Sequence, residues 1–173
     1  MTTANKLTIL RIILVPIFLL VLYLGFRGAD WVALGIFILA SLTDLLDGYI
    51  ARHYNQITNF GKFMDPLADK ILVMSALCWL VQSGHVTGWV LAAVLLREFA
   101  VSGLRLIAVE QGRVIAAAKS GKFKTASTMV CICVLLVFHF AWLDLLGQTI
   151  IMVTTVWSGV EYFIKNKDVF RAV

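Results

Sequence analysis

Six apolar segments, each close to the length of a membrane-spanning helix, follow one another along the 173-residue chain. A helix needs about 20 residues to cross a bilayer, and inside lipid every backbone polar group must be bonded within the span. The segments cover residues 7–26, 31–50, 61–81, 87–109, 125–142 and 145–164. They predict an all-α fold, an integral membrane bundle of six transmembrane helices.

The composition agrees with a membrane protein, since 61% of the residues are hydrophobic and 14% are charged. Soluble domains contain about 45–50% apolar and about 25% charged residues. The net charge of +5 is therefore expected to attract membrane lipids with anionic head groups or a phosphorylated substrate. No nucleic acid partner is expected. The length suits a single domain over residues 1–173.

Lysine and arginine gather at alternate ends of the segments. One set of ends carries Lys6, Arg11, Arg52, Lys62, Arg113, Lys119, Lys122, Lys124, Lys165, Lys167 and Arg171. The opposite set carries Arg27 alone, beside His85 and two acids, Asp30 and Asp144, which are expected in short external loops. The positive-inside rule then predicts six crossings with both termini in the cytoplasm.

Four carboxylates stand in the 26 residues from Asp44 to Asp69. Asp44 and Asp47 are three residues apart, and Asp65 and Asp69 are four apart, so on helices each pair would share a face. A polar break around residues 53–59 lets the second helix return beside the first. Four converging carboxylates repel one another unless cations lie between them, and the pattern therefore predicts a metal site on the cytoplasmic side.

Oxygen ligands alone favour hard divalent cations, Mg²⁺ first and Mn²⁺ or Ca²⁺ after it. Four carboxylates can hold two such ions, an arrangement used for displacement at phosphorus. Gly48 and Gly61 leave room for a bulky group, and the planar guanidinium of Arg52 suits a phosphate or a base edge. An ion-paired helix pair without metal and an ion or proton pathway are the alternatives, and a pathway leaves the glycines and Arg52 without a role.

The spacing D-x-x-D-G-x-x-A-R-x₈-G-x-x-x-D-x-x-x-D resembles the signature of the CDP-alcohol phosphotransferases. All its fixed positions are present: Asp44, Asp47, Gly48, Ala51, Arg52, Gly61, Asp65 and Asp69. The resemblance extends over most of the chain. It implies a six-helix membrane domain with cytoplasmic ends, an active site on the cytoplasmic side of the cell membrane, and a homodimer.

The resemblance also implies a role for each motif residue. Asp44, Asp47 and Asp65 would bind two Mg²⁺ or Mn²⁺ ions that hold the diphosphate of CDP-diacylglycerol. Asp69 would border the second ion and act as the general base on the acceptor hydroxyl. The CDP site would be lined by Gly48, Ala51, Arg52 and Gly61. The reaction implied joins an alcohol to the phosphatidyl phosphate and releases CMP.

The acceptor site is predicted from cations in the fourth and fifth segments. Arg97 and Arg105 are eight residues apart, so on a helix they share a face, and Arg97 falls near the middle of its segment. Glu98 points about 100° away from Arg97 on a helix, which leaves their pairing open. Lys119, Lys122 and Lys124 follow in the loop and at the start of segment five. Cations at this depth indicate a polar cavity for an anionic acceptor.

Three further stretches, 5–18, 65–70 and 95–105 with 121–125, resemble the phosphatidylglycerophosphate synthase branch of the family. The acceptor implied is sn-glycerol 3-phosphate, its phosphate held by Arg97, Arg105, Lys119 and Lys122. Asn5 and Thr8 are weaker candidates for the nucleotide or acceptor site. The proline usual before the first stretch is absent, since Ala4 and Asn5 stand there.

Other acceptors remain open, namely inositol phosphate, serine and phosphatidylglycerol. Serine would need a site for a carboxylate and an ammonium group with less positive charge. A divalent-cation transporter is the alternative from another class. It should carry acids in both halves of the membrane, whereas the acids expected outside the cytoplasmic half are Asp30 and Asp144 in external loops.

Overall fold

The computed structural model describes the backbone of residues 3–53, 59–113, 115–116 and 118–170, and the side chains of residues 9–43, 70–113, 115–116 and 118–169. Within these ranges the chain forms six α-helices and one short 3-10 helix. They are α1 Thr3–Leu24, α2 Ala29–His53, α3 Asn59–Gln82, α4 Gly88–Glu110, α5 Lys119–Val137, α6 Ala141–Lys165 and the 3-10 helix Lys167–Phe170. The all-helical class is confirmed for the described part of the chain.

The ends of α5 and the start of α6 differ from the prediction. α5 begins at Lys119, so Lys119, Lys122 and Lys124 lie in its first two turns and not in a loop. It ends at Val137, and three non-helical residues, Phe138 to Phe140, connect it to α6. Lysine is a good helix former, whereas the apolar pattern alone marks neither a charged helix start nor an aromatic connection.

The two acids predicted in external loops lie in helices. Asp30 is in the first turn of α2 and Asp144 is in the first turn of α6. A carboxylate at a helix N-terminus interacts favourably with the helix dipole and its unpaired N–H groups. Both acids therefore have a local structural reason for their positions.

The chain divides into two compact units, and the first contains Met1–Gln82 with Leu136–Phe138. Helix α1 packs against both α2 and α3. Its buried side chains recur every three or four residues, and Phe18 meets Phe37 of α2 with ring centroids 6.0 Å apart. Small residues of α2, Ala33 and Ala40, are fully buried at the same contact. Arg11 is also fully buried, so this cation belongs to the interior of the unit and not to an exposed helix end.

The second unit contains Ser83–Leu135 and His139–Val173. Its apolar cluster joins α4, α6 and the 3-10 helix through Val101, Leu104, Ala108, Tyr162 and Val169. Helix α4 ends in a Schellman motif. Gly112 has φ 72° and donates to the carbonyl of Val109 at 2.9 Å, while Arg113 N–H donates to the carbonyl of Ala108 at 2.8 Å.

The turn between α3 and α4 is tied to the start of α6 within the second unit. His85 Nδ1 lies 3.1 Å from both carboxylate oxygens of Asp144, and its ring stacks on His139 with centroids 4.6 Å apart. The backbone N–H of Thr87 donates to Gln148 Oε1 at 3.3 Å. These contacts fix the end of the unit that holds Asp144.

Two helices, α5 and α6, are long and apolar enough to cross a membrane among the residues searched, those the structure describes. Three shorter apolar stretches lie within α1, α2 and α3, namely Ile9–Leu24, Ala29–Thr43 and Lys70–Gln82. Large apolar side chains such as Leu96, Phe99 and Val130 are exposed on the outside of the helices. Contiguous exposed apolar surface is typical of contact with a membrane or with another protein.

Three tryptophans lie in the first turns of helices. Trp31, Trp89 and Trp142 are all more than half exposed there, at 62%, 82% and 64%. Aromatic side chains are enriched at the level of the lipid head groups in membrane proteins. Tyr162, by contrast, is a buried member of the apolar cluster in the second unit.

Candidate active site

The aspartate motif is carried by two helices of the first unit. The backbone of α2 is helical through position 53, and that of α3 from position 59. This confirms the two predicted helices, whereas the predicted break between them falls on residues 54–58, outside the described residues. Ten predicted site residues lie outside the described side chains: Asn5, Thr8, Asp44, Asp47, Gly48, Ala51, Arg52, Gly61, Asp65 and Asp69.

The predicted metal site stays a prediction. No three His, Cys, Asp or Glu side chains converge as metal ligands among those that the structure describes. The four predicted ligands lie outside that set. On the described side of the motif, Thr43 is buried and its hydroxyl donates to the carbonyl of Ala40 at 2.7 Å.

The predicted acceptor residue Arg97 belongs to a buried cluster of three charges. Its Nη1 donates to Glu98 Oε1 at 2.8 Å, and Lys124 Nζ of α5 donates to the same oxygen at 2.9 Å. The side chains of Arg97, Glu98 and Lys124 are 11%, 15% and 4% exposed. Two cations thus share one carboxylate in a place with little water.

Two glycines give Arg97 its position. A Cβ built on Gly121 of α5 would lie 3.2 Å from Arg97 Nη2, and one built on Gly159 of α6 would lie 3.3 Å from Arg97 Cγ. Such distances are shorter than ordinary van der Waals contacts. The absence of side chains at Gly121 and Gly159 therefore lets the arginine of α4 pack closely against both other helices of the unit.

Arg105, two turns beyond Arg97 on α4, contacts α6. Its Nε donates to the hydroxyl of Tyr162 at 2.9 Å, and its guanidinium carbon lies 5.6 Å from the centroid of that ring. Arg105 is otherwise exposed. The contact orients the guanidinium and leaves donors of Arg105 open for an anion, since an arginine carries five N–H donors.

The remaining two predicted acceptor residues, Lys119 and Lys122, are exposed on the first turn of α5. Lys124 is the residue that sequence reasoning underrated, because it was treated as one of three similar lysines. In the structure it is the buried one of the three. A signal was present in the sequence, since Lys124 lies one helical turn from Ser120 and Thr128, and both of these are buried with it.

The second unit is also polar around this cluster. Thr128 of α5 and Thr155 and Ser158 of α6 are almost fully buried, and Ser127 lies 3.4 Å from Thr154 between their hydroxyl oxygens. The hydroxyls of Thr128 and Thr155 and the Nε of Arg97 have no hydrogen-bond partner among the described residues. Buried polar groups of this kind favour a polar ligand over an apolar one.

The chain is all-helical where the structure describes it, two of the described helices are long and apolar enough to cross a membrane, and the sequence carries the aspartate motif. The family model described as CDP-alcohol phosphatidyltransferase matches residues 1–160. The chain belongs to this family. The resemblance in the aspartate motif is thereby confirmed at the level of the family.

Relatives of known description match nearly the whole chain. The CDP-diacylglycerol–glycerol-3-phosphate 3-phosphatidyltransferase of Bacillus subtilis is 40% identical, covering 96% of this chain and 96% of that protein. The protein of the same description from Salmonella typhimurium is 39% identical, covering 90% of each chain. A probable phosphatidylglycerophosphate synthase of Mycobacterium tuberculosis is 41% identical, covering 92% of this chain and 78% of that protein.

Proposed function

We propose that the protein transfers the phosphatidyl group of CDP-diacylglycerol to sn-glycerol 3-phosphate, giving phosphatidylglycerophosphate and CMP. The observation that carries this proposal is the similarity to synthases of that description, at 40% identity over 96% of the chain for the Bacillus subtilis protein. The buried cationic cluster of the second unit supports an acceptor that carries a phosphate, because it holds two cations for one carboxylate.

The four motif aspartates would hold two divalent cations, Mg²⁺ or Mn²⁺. The donor set fits these ions because it consists of carboxylate oxygens, which hard cations prefer. When bound, the ions would neutralise charge on the diphosphate and make the acceptor hydroxyl more acidic. Gly48, Ala51, Arg52 and Gly61 would line the CDP site beside them.

Asp69 would accept the proton of the acceptor hydroxyl. The hydroxyl oxygen then forms a bond to the phosphorus that carries the diacylglycerol, and the bond from that phosphorus to the bridging oxygen breaks. CMP leaves with the electron pair of the broken bond. Catalysis of such a step consists mainly of positioning and of stabilising charge on the phosphoryl oxygens.

The acceptor phosphate would be bound by Arg97, Arg105, Lys119 and Lys122, with Lys124 added from the buried cluster. Arg97 and Arg105 offer planar guanidinium groups that bind two phosphate oxygens at once. Asn5 and Thr8 would lie near the nucleotide or the acceptor. The neutral donors of the polar interior would complete the bonding of the glycerol hydroxyls.

The enzyme would work as one domain in the cytoplasmic membrane. Six crossings with both termini in the cytoplasm follow from the distribution of lysine and arginine, and the motif would then face the cytoplasm, where soluble acceptors and CMP are found. A homodimer is part of the same proposal, by resemblance to the family.

A panel of radiolabelled acceptors tests the function directly. Purified protein is given CDP-diacylglycerol, Mg²⁺ and one of glycerol 3-phosphate, inositol phosphate, serine or phosphatidylglycerol, and CMP release and lipid labelling are measured. We expect turnover with glycerol 3-phosphate at least about tenfold above that with the others, a difference of about 1.4 kcal/mol in transition-state binding. Preference for another of the four acceptors would identify that acceptor as the substrate. Absence of CMP release with all four would contradict the proposed activity.

A further inference from the structure

We propose that Glu98 is a positioning residue of the acceptor site, which holds Arg97 and Lys124 together so that both can meet one phosphate. The proposal rests on the proposed function for the identity of the acceptor. The geometry behind the proposal is independent of that function, because it is a contact among three described side chains of α4 and α5.

The contact has an unusual stoichiometry. One oxygen, Glu98 Oε1, accepts from Arg97 Nη1 at 2.8 Å and from Lys124 Nζ at 2.9 Å. Glu98 therefore brings a cation of α4 and a cation of α5 to the same atom. Without the carboxylate, these two charges would repel each other at close range and with little solvent to screen them.

Burial makes the arrangement sensitive to Glu98. Lys124 is 4% exposed and Arg97 is 11% exposed. Removing one member of a buried charge group leaves the others insufficiently compensated. The two cations would then turn away from each other or bind solvent, and a phosphate would no longer find both in place.

The close approach of the helices restricts where Arg97 can go. Its stem packs against Gly159 and its guanidinium against Gly121, within 3.3 Å of the Cβ positions that these glycines lack. Arg97 Nη2 faces Gly121, and its Nε has no hydrogen-bond partner among the described residues. Glu98 thus fixes one end of a guanidinium whose Nε still has a donor for an anion.

Positioning and simple charge balance predict opposite results for Glu98→Gln. If Glu98 only lowered the positive charge of the site, its removal would bind the phosphate of the acceptor more tightly. If it positions the two cations, its removal weakens binding. The direction of the change in the KM for glycerol 3-phosphate therefore separates the two roles.

The test compares Glu98→Gln and Glu98→Asp with Glu110→Gln, a control on the exposed last residue of the same helix. We expect Glu98→Gln to raise the KM for glycerol 3-phosphate by about tenfold or more, with less than about threefold change in kcat and in the KM for CDP-diacylglycerol. Glu98→Asp should recover part of the loss because it restores the charge. Glu110→Gln should match the wild type.

A second measurement needs no turnover. Inorganic phosphate should raise the melting temperature of the wild-type protein in detergent, since a ligand that binds only the folded state stabilises it, and Glu98→Gln should lose most of that shift. If the wild type shows the shift but releases no CMP with glycerol 3-phosphate, the proposed acceptor is wrong and the role of Glu98 stands. If Glu98→Gln does not fold, Glu98→Asp carries the same comparison.

A Lys124→Met background separates positioning from general loss of structure. If Glu98 acts by holding Lys124 beside Arg97, Glu98→Gln should change the phosphate shift less in that background than alone, because interacting residues are not additive. An equal change in both backgrounds overturns the proposal. So does a KM for glycerol 3-phosphate that is unchanged or lower in Glu98→Gln with folded protein.

Discussion

Asp69 differs from the other three motif aspartates in the work proposed for it. Asp44, Asp47 and Asp65 need only lone pairs for a cation, whereas a base must also take up a proton. A carboxylate beside a divalent ion is a weak base, and it is effective only because the same ion makes the acceptor hydroxyl more acidic. Asp69 is thus the motif position at which an isosteric amide should separate binding from chemistry.

Asp69→Asn should lower CMP release by at least about 100-fold, the usual contribution of a general base. Binding of CDP-diacylglycerol should stay near the wild-type level, since three carboxylates remain. CMP release and lipid binding by equilibrium dialysis in detergent check the two halves of this prediction. Asp168→Asn, an exposed acid in the 3-10 helix, is the control. Turnover near that of the wild type would remove Asp69 as the base.

The motif residues could be predicted from the sequence, whereas the contact between Glu98 and Lys124 could not. The eight motif positions were predicted because their spacing is local and fixed. The sequence left the pairing of Glu98 with Arg97 open, because adjacent helical residues point about 100° apart. Its second cation, Lys124, is 26 residues away on another helix, and the contact depends on Lys124 of α5 reaching Glu98 of α4 in the folded chain. Such a contact between two helices arises from the tertiary structure and cannot be predicted from the spacing of residues in one sequence.

At the scale of elements, hydropathy predicted how many helices the described chain contains but not all of their ends. The end of α2 at His53 and the start of α3 at Asn59 lie where polar residues predicted them. The start of α5 was missed because lysines continue a helix as readily as apolar residues do. The connection before α6 was missed because Phe138 and Phe140 extend the apolar pattern through residues that are not helical.

The contact between His85 and Asp144 joins two elements that the sequence left unconnected, the turn before α4 and the first turn of α6. We expect Asp144→Ala to destabilise the protein by about 1 kcal/mol, the net value of one intramolecular hydrogen bond. For a chain of this size that corresponds to about 2–4 °C in melting temperature. Melting in detergent checks it.

Asp30→Ala is the matched control, because Asp30 also lies in the first turn of a helix, α2. Loss of the favourable helix-end charge is common to both variants, so the difference between them reports the contact with His85. His85→Ala combined with Asp144→Ala should cost less than the sum of the two single changes. Additive losses would mean that the two side chains stabilise the protein independently.

At the scale of the whole molecule, the cations have two kinds of position. Arg11 and Lys124 are buried, Arg11 in the first unit and Lys124 in the second. Four lysines at the ends assigned to the cytoplasm are exposed, namely Lys119, Lys122, Lys165 and Lys167. The positive-inside rule counts such residues near the ends of membrane-spanning segments. The predicted orientation stays a prediction and does not depend on the buried cations, since the ends assigned to the outside carry Arg27 alone.

Cysteine labelling of two exposed cations tests the orientation. Arg27→Cys lies in the turn between α1 and α2, which is assigned to the outside, and Lys167→Cys lies after α6, which is assigned to the cytoplasm. Both are made with Cys78, an exposed native cysteine, replaced by Ser. In right-side-out membrane vesicles, a membrane-impermeant maleimide should label Arg27→Cys at once and Lys167→Cys only after the vesicles are opened.

The two variants control for each other, since each replaces an exposed cation by the same thiol and differs only in the predicted side. Labelling of Lys167→Cys in sealed vesicles would invert the topology. The inversion would place the ends of α2 and α3 that carry the aspartate motif on the outer face, away from cytoplasmic glycerol 3-phosphate. A protein oriented in that way could not use the proposed acceptor in the cell, so the result would count against the proposed substrate as well as the topology.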